Sequence, residues 1–375
     1  MKIHITLLAI TAVVAFLLLS LLWTGQRHLP IAHLVLAVGV LPLILGAMIQ
    51  FIPALTRTQS AEAWITGLPS AATLAAVVAV VALEYQQRQW LLPAALLAMT
   101  TVVVLMAWIA KRAGLSLGGA HPGVRWYQAA LVCLLFGLTA MVGALLRPDY
   151  WQPLRTLHVH LNLIGFVGLT AIGTLQVLLP TVAGYRDDRA AGRLCCHLKY
   201  AFLGSWMAAV GAAWLHPLSW LAIPLWLFPI IALLRPMWSN RQHLGRSGHS
   251  GAAVSLIGAI FGFVLTLFSG IPIMLHWISP EESIPLFLML FVLPLVTGAL
   301  SYLLPLWVWG DQPQRQQHGR VILSRGGALR TLLFLGSGML VVAGNRDAAL
   351  LVVMAVMAVF VMQMVWAWSK TVGQP

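Results

Sequence analysis

The feature that constrains this chain most is its near-continuous succession of apolar stretches, each long enough to cross a lipid bilayer. Sixty per cent of the 375 residues are hydrophobic and only 8% are charged. Lipid offers the backbone no hydrogen-bonding partners, so an apolar stretch of about 20 residues has to form a helix, in which the backbone groups pair internally. The sequence therefore predicts an all-α polytopic membrane protein.

Polar or Gly- and Pro-marked breaks divide the chain into twelve predicted transmembrane helices, which together form a single membrane domain over residues 1–375. The connections between them are short, so neighbouring helices are expected to run antiparallel. The predicted helices cover residues 3–23, 31–55, 61–83, 89–110, 124–146, 156–183, 193–214, 217–235, 250–276, 284–309, 329–344 and 348–369.

The distribution of basic residues indicates the topology. If the N-terminus is cytoplasmic, 17 of the 22 Lys and Arg residues fall on the cytoplasmic side and only 5 on the outer side. This positive-inside bias places both termini in the cytoplasm, in a bacterial inner membrane. The formal net charge of +13 then reflects topology and contact with anionic lipid head groups, and it does not indicate nucleic-acid binding.

One motif recurs along the chain. His33 in the second predicted helix is followed by a glycine thirteen residues later and by a proline seven residues after that. His160 in the sixth helix has a glycine and a proline at the same two distances. The tenth helix keeps the second spacing between Gly298 and Pro305, but Pro285 occupies the position of the histidine.

The three glycines of this motif, hereafter the repeat glycines, are spaced 127 and 125 residues apart, close to one third of the chain. A motif that returns at a fixed period indicates a repeated structural unit. We therefore expect three pseudo-threefold related units of four helices each, over residues 1–115, 120–240 and 245–372. The repeat glycines are Gly46, Gly173 and Gly298.

Histidines at the outer helix ends are the candidate site residues. An ionisable side chain inside a membrane helix costs about 3 kcal/mol or more unless it faces protein and finds a partner. His33 and His160 occupy equivalent positions, so both are candidate metal ligands; a hydrogen bond to a neighbouring helix is the alternative role. His158 lies about 200° around a regular helix from His160, so only one of them could face a given centre. His216 and His276 are further candidates, although a structural role is favoured for them.

The arrangement resembles subunit I of the haem–copper oxidase superfamily, including NnrS-type membrane haem proteins that keep the scaffold without the oxidase residues. The resemblance is carried by the His-bearing second helix with its glycine and proline, by the twelve helices in three units, and by the stretch from His158 to Thr170. It implies that His33 is an axial ligand of a b-type haem and that His160 is a ligand of copper. It also implies a redox protein of nitric oxide or respiratory metabolism that receives electrons from a protein or a quinol.

The chain departs from this family in its tenth helix, which contains no histidine. Met289, one turn beyond Pro285, is a candidate replacement haem ligand, because methionine ligates haem in cytochromes, or it is a packing residue. The adjacent His-His pair of the copper site is also missing, and no carboxylate lies in mid-membrane. An oxidoreductase is therefore expected only in a form that differs from an oxygen-reducing proton pump.

Two other functions fit the same pattern. The three units could enclose a path for a small molecule or a metal ion, with the histidines as binding groups, although transporters more often contain paired repeats. The chain could also be an assembly or accessory protein that kept the scaffold and lost the chemistry. The missing histidines of the tenth helix favour this last alternative.

Overall fold

The computed structural model describes residues 2–22, 28–243 and 250–372, and this part of the chain is helical without any β-strand. We number its principal helices in chain order. They are α1 (Lys2–Leu22), α2 (Leu29–Thr56), α3 (Ala63–Glu84), α4 (Arg88–Gly114), α5 (Gly123–Leu146), α6 (Pro148–Ala183), α7 (Ala190–Ala213), α8 (His216–Ser239), α9 (Ser250–Met274), α10 (Pro280–Val308), α11 (Pro313–Ser324), α12 (Gly327–Val342) and α13 (Arg346–Val372).

The helices make this chain a multi-pass membrane protein. Within the described ranges, nine helices are long and apolar enough to cross a membrane, and α11 with α12 makes a tenth if this pair, bent by 41°, is one span. The expected all-α fold is confirmed at this level. Helix α11 was not anticipated: it is polar, and the sequence analysis left its residues between two predicted helices.

The chain divides into two compact units, each of which is described by itself. The first unit contains Leu29–Val177 and Asp187–Pro236, and in it α3 packs on α4 and α5 packs on α6. The second unit contains Lys2–His28, Leu178–Arg186 and Met237–Pro375. In it α9 packs on α10 and α12, while α1 packs on α10 and α13.

A π-helical turn interrupts each of the three helices that carry a repeat glycine. The turns are Leu34–Val40 in α2, Leu161–Gly168 in α6 and Leu288–Val292 in α10. Each ends five or six residues before the repeat glycine of its helix, and the first two begin directly after His33 and His160. A π-helical turn changes the direction in which the flanking side chains point, and such turns are frequent at functional sites.

The repeat glycines of α6 and α10 each allow a neighbouring helix to approach closely, α5 at α6 and α9 at α10. A Cβ atom on Gly173 would lie 2.8 Å from Cβ of Trp126 on α5, and one on Gly298 would lie 2.9 Å from Cβ of Ser255 on α9. Helices α5 and α9 are the first helices of the second and third predicted repeats. The two contacts therefore involve equivalent helices of the second and third predicted repeats.

A hydrogen bond donated by an arginine also occurs at the equivalent position of α6 and α10. Gln176 and Ser301 each lie three residues after the repeat glycine of their helix. Oε1 of Gln176 accepts a hydrogen bond of 3.1 Å from Nε of Arg193 on α7, and Oγ of Ser301 accepts one of 3.1 Å from the Arg330 guanidinium on α12. Arg193 also forms a largely buried ion pair with Asp187. In both cases the polar residue accepts a hydrogen bond from an arginine near the start of another helix, α7 or α12.

Arg330 is a buried cation at the bend between α11 and α12, and only 6% of its surface is exposed. Its guanidinium donates to the main-chain oxygen of Leu323 at 3.3 Å and lies over the ring of Phe360, 4.6 Å from its centroid. Ser301 Oγ donates to the same Leu323 oxygen at 2.9 Å. Arg330 and Ser301 thus supply hydrogen bonds to the main-chain oxygen of Leu323 at the bend. Backbone polar groups in a membrane need such partners within the protein.

Candidate functional site

Three half-buried histidines lie in the N-terminal halves of α2 and α6, and the Nδ1 atom of each hydrogen-bonds a main-chain oxygen at 2.9 Å. A carbonyl oxygen only accepts hydrogen bonds, so Nδ1 carries the proton and Nε2 keeps its lone pair. This tautomer, held by a backbone carbonyl, is the one that metal-binding histidines commonly adopt. The pairs are His33 with Leu29, His158 with Gly137, and His160 with Thr156.

The structure brings His33 together with His158. The two rings are nearly parallel, with 13° between their planes and 6.4 Å between their centroids. In the described part of the chain, no ring contact joins His160 to either of them. The sequence analysis chose His160 because it matches His33 in register; the tertiary structure instead places its neighbour His158 beside His33.

The ring of His158 is held by two groups. Its Nδ1–H donates to the Gly137 oxygen on α5, and the side-chain amide nitrogen of Asn162 lies 3.3 Å from its Nε2. Oδ1 of Asn162 is buried, has no hydrogen-bond partner in the described structure, and would lie 2.7 Å from a Cβ atom on Gly137. Gly137 therefore supplies both the carbonyl for His158 and the space for Asn162. The same amide nitrogen is 3.2 Å from Nδ1 of His158, so it lies over the face of the ring.

The donor set suits a cofactor that needs two protein ligands. Two imidazoles that bind one metal ion from opposite sides have centroids about 6 Å apart, because each metal–nitrogen bond is about 2 Å long. The separation of the His33 and His158 centroids, 6.4 Å, agrees with this value. Six-coordinate haem iron, as in cytochromes, takes two axial protein ligands. A tetrahedral site needs three or four, and no group of three His, Cys, Asp or Glu side chains suited to a metal occurs among the described residues.

Arg155 lies beside this pair. It is half-buried and precedes His158 by three residues in the helical segment Trp151–His160, so the two side chains share a helix face. No carboxylate lies within ion-pair distance of Arg155 in the described residues.

The other candidate residues lie apart from this pair or in the second unit. His216, at the start of α8, is exposed and makes no ring contact with the pair in the described first unit. His276 is exposed in the second unit, where it adopts a left-handed conformation with φ of 57°. Met289 is 1% exposed and lies on the π-helical turn of α10, also in the second unit.

Sequence reasoning missed two residues of this site, Gly137 and Arg155. Arg155 could have been found, because a basic residue three positions before His158 shares its helix face. No sequence signal points to Gly137, since its role comes from the packing of α5 on α6. Comparison with protein-family models, with curated proteins and with solved structures gives no match for this chain, so its chemistry has to be argued from these contacts.

Proposed function

We propose that this protein is a membrane redox protein that binds a b-type haem between His33 and His158, on a scaffold similar to that of haem–copper oxidase subunit I. The observation that carries the proposal is the near-parallel pair of imidazoles, whose centroids are 6.4 Å apart. Both rings keep their Nε2 lone pair, because Nδ1 of each donates to a main-chain oxygen. Bound haem would supply one-electron chemistry towards the outer face of the membrane.

The proposed scaffold has twelve transmembrane helices in three related four-helix units, with both termini in the cytoplasm of a bacterial inner membrane. Three π-helical turns in register with the repeat glycines support the threefold relationship. The glycine and arginine contacts that recur in the second and third repeats support it as well. Helix α7 carries Arg193 and Lys199 in its first half, and it counts as a membrane span in this proposal although it is less apolar than its neighbours.

The proposed ligand pair differs from the one that the family resemblance implies. In that family the sixth-helix histidine binds copper, and a histidine of the tenth helix completes the haem site. In this chain His158 of α6 is the neighbour of His33, and it removes the need for a ligand from α10. A copper ion on His160 would need further ligands, and the described residues hold no group of three metal-binding side chains that could supply them. Haem is therefore the cofactor we propose.

The physiological role we propose is electron transfer or catalysis in nitric oxide or respiratory metabolism, with a quinol or a donor protein as the source of electrons. The proposed site holds one haem, and an external donor would supply the electrons that reduce it. Titration of the reduced haem with nitric oxide would show whether this gas is a ligand.

The test is the haem content of protein purified from membranes in mild detergent. We expect about one b-type haem per chain, with two nitrogen ligands, in a pyridine haemochrome assay and a reduced-minus-oxidised spectrum. Metal analysis in parallel would report iron and copper. Protein without a Soret band and without stoichiometric iron would overturn the proposal. Substrate flux through that metal-free protein in liposomes would then favour a transporter.

A further inference from the structure

Two buried polar groups at the bend between α11 and α12 have no hydrogen-bond partner among the described residues. They are Oγ of Ser324, a residue that is 5% exposed, and Nε of Arg330, which is 6% exposed. Ser324 directly follows Leu323, whose main-chain oxygen accepts a hydrogen bond from the Arg330 guanidinium, so both groups belong to the same bend. A buried donor without an acceptor is costly. The bend therefore offers two donors to a bound acceptor.

The charge of Arg330 indicates that this acceptor is an anion. Every hydrogen bond that the guanidinium donates ends on a neutral oxygen, namely the main-chain oxygen of Leu323, Oγ of Ser301 at 3.1 Å and Oε1 of Gln363 at 3.4 Å. No carboxylate of the described residues forms an ion pair with it, and residues 312–346 contain no Asp or Glu. A buried cation is costly unless an anion balances it.

The position of Arg330 in its helix also favours an anion. Arg330 lies in the first turn of α12, where the partial positive charge of the helix N-terminus opposes a cation. Helix α9 covers the bend closely, since Gly251 contacts the Ser324 oxygen and leaves no room for a Cβ atom. Arg325, at the same bend, is exposed. The bend is therefore packed on one side and accessible on another.

We propose that the bend between α11 and α12 binds a small inorganic anion of the size of chloride, held by the Arg330 guanidinium and the Ser324 hydroxyl. The anion balances the buried charge and accepts hydrogen bonds from both unpaired groups. The close packing of α9 favours a compact ion over a phosphate or a lipid head group. This site lies within the second unit and does not depend on the proposed haem.

The test is chloride binding by the full-length protein in detergent. Equilibrium dialysis with radiolabelled chloride counts the bound ions, and thermal unfolding is followed as sodium gluconate is replaced by sodium chloride at constant ionic strength. We expect about one chloride per chain and a saturable rise in Tm, because the ion binds the folded state. Arg330→Gln should abolish both effects. Ser324→Ala should weaken chloride binding about 10-fold, as for the loss of a hydrogen bond to a charged group.

The matched control is Arg325→Gln, which removes an exposed cation that lies over the ring of Trp366, 5.3 Å from its centroid, and should leave the chloride affinity unchanged. A wild-type protein that binds no chloride, or has the same Tm in both salts, would overturn the inference. This comparison needs no variant, so it stays decisive even if Arg330→Gln fails to fold. Unchanged affinity in Ser324→Ala, or an equal loss in Arg325→Gln, would also overturn it, because the ion would then bind elsewhere or screen surface charge.

Discussion

The imidazoles of His33 and His158 lie nearly parallel, with 13° between their planes and 6.4 Å between their centroids, although 125 residues separate them in sequence. Each ring is oriented by a carbonyl, His33 by Leu29 of its own helix and His158 by Gly137 of α5. Preorganised donors of this kind need little rearrangement to bind a metal. The predictions below test the pair, the packing that holds it and the charges around it.

The identity of the two ligands can be tested by alanine substitution. His33→Ala and His158→Ala should each lower the haem content to less than about one tenth, because a single axial ligand holds haem weakly in a competing detergent. His160→Ala should retain haem, with His216→Ala as an exposed control. The measurement is haem per purified chain. Loss of haem in His160→Ala together with its retention in His158→Ala would restore the assignment implied by the family resemblance.

Gly137→Ala should disturb the His158 ring without altering any ligand. The added Cβ would lie 2.7 Å from Oδ1 of Asn162, and Asn162 contacts the His158 ring. We expect weaker haem binding and a loss of about 1–3 kcal/mol of stability, as for other overpacking substitutions. Gly143→Ala on the same helix is the control, because its Cβ would meet Cδ1 of Leu154 at an ordinary 3.4 Å. Both variants are compared by haem titration and by thermal unfolding. Equal effects of the two substitutions would contradict this explanation.

Gly173→Ala should destabilise the first unit through helix packing. Its Cβ would lie 2.8 Å from Cβ of Trp126, and Trp126 is anchored by a hydrogen bond of 2.8 Å from its indole nitrogen to the Leu194 oxygen. A loss of about 1–3 kcal/mol is expected. Gly192→Ala on α7 has nothing within 4 Å of its Cβ and should be neutral or stabilising by about 0.5–1 kcal/mol. Denaturant unfolding in detergent checks both, and equal effects would contradict the close approach.

Asp187→Asn should be more damaging than its position in a connection suggests. The side chains of Arg193 and Asp187 are only 12% and 7% exposed, so the substitution leaves Arg193 a buried cation with Gln176 as its remaining side-chain partner. Loss of one member of a buried pair costs about 3–5 kcal/mol. The control is Glu282→Gln, which removes the partner of Arg346 in a pair with exposures of 24% and 19%. We expect a smaller loss there, and a comparable loss in unfolding measurements would refute the burial argument.

Acid should weaken the contact between the start of α3 and the end of α4. A hydrogen bond from its own backbone N–H, followed by those from Trp108 and Arg112, lowers the pKa of Glu62 from 4.5 to about 2. Because the folded-state pKa is depressed, this contribution to stability is complete above about pH 4.5 and is lost as the pH falls towards 2. Glu62→Gln should flatten the stability profile within that window. An unchanged profile would show that the carboxylate does not carry the effect.

The sequence by itself determined where the helices lie, because a membrane leaves an apolar stretch no alternative way to pair its backbone. Each of the twelve predicted ranges contains helix, and the described ends differ by four residues or fewer except at α6, which begins eight residues before its predicted start. Helix α11 shows the limit of that logic. Its polar composition carries no membrane signal, and it packs on α10 and α13 in the second unit.

Only the tertiary structure decided which histidine lies beside His33. Spacing along a regular helix favoured His160, whose register matches that of His33. The pairing with His158 depends on a carbonyl of α5, on the space left by Gly137 and on π-helical turns that begin after His33 and His160. These are contacts between segments far apart in sequence, and a periodic pattern within one helix cannot encode them. Helix positions are therefore a property of local composition, whereas the site is a property of packing.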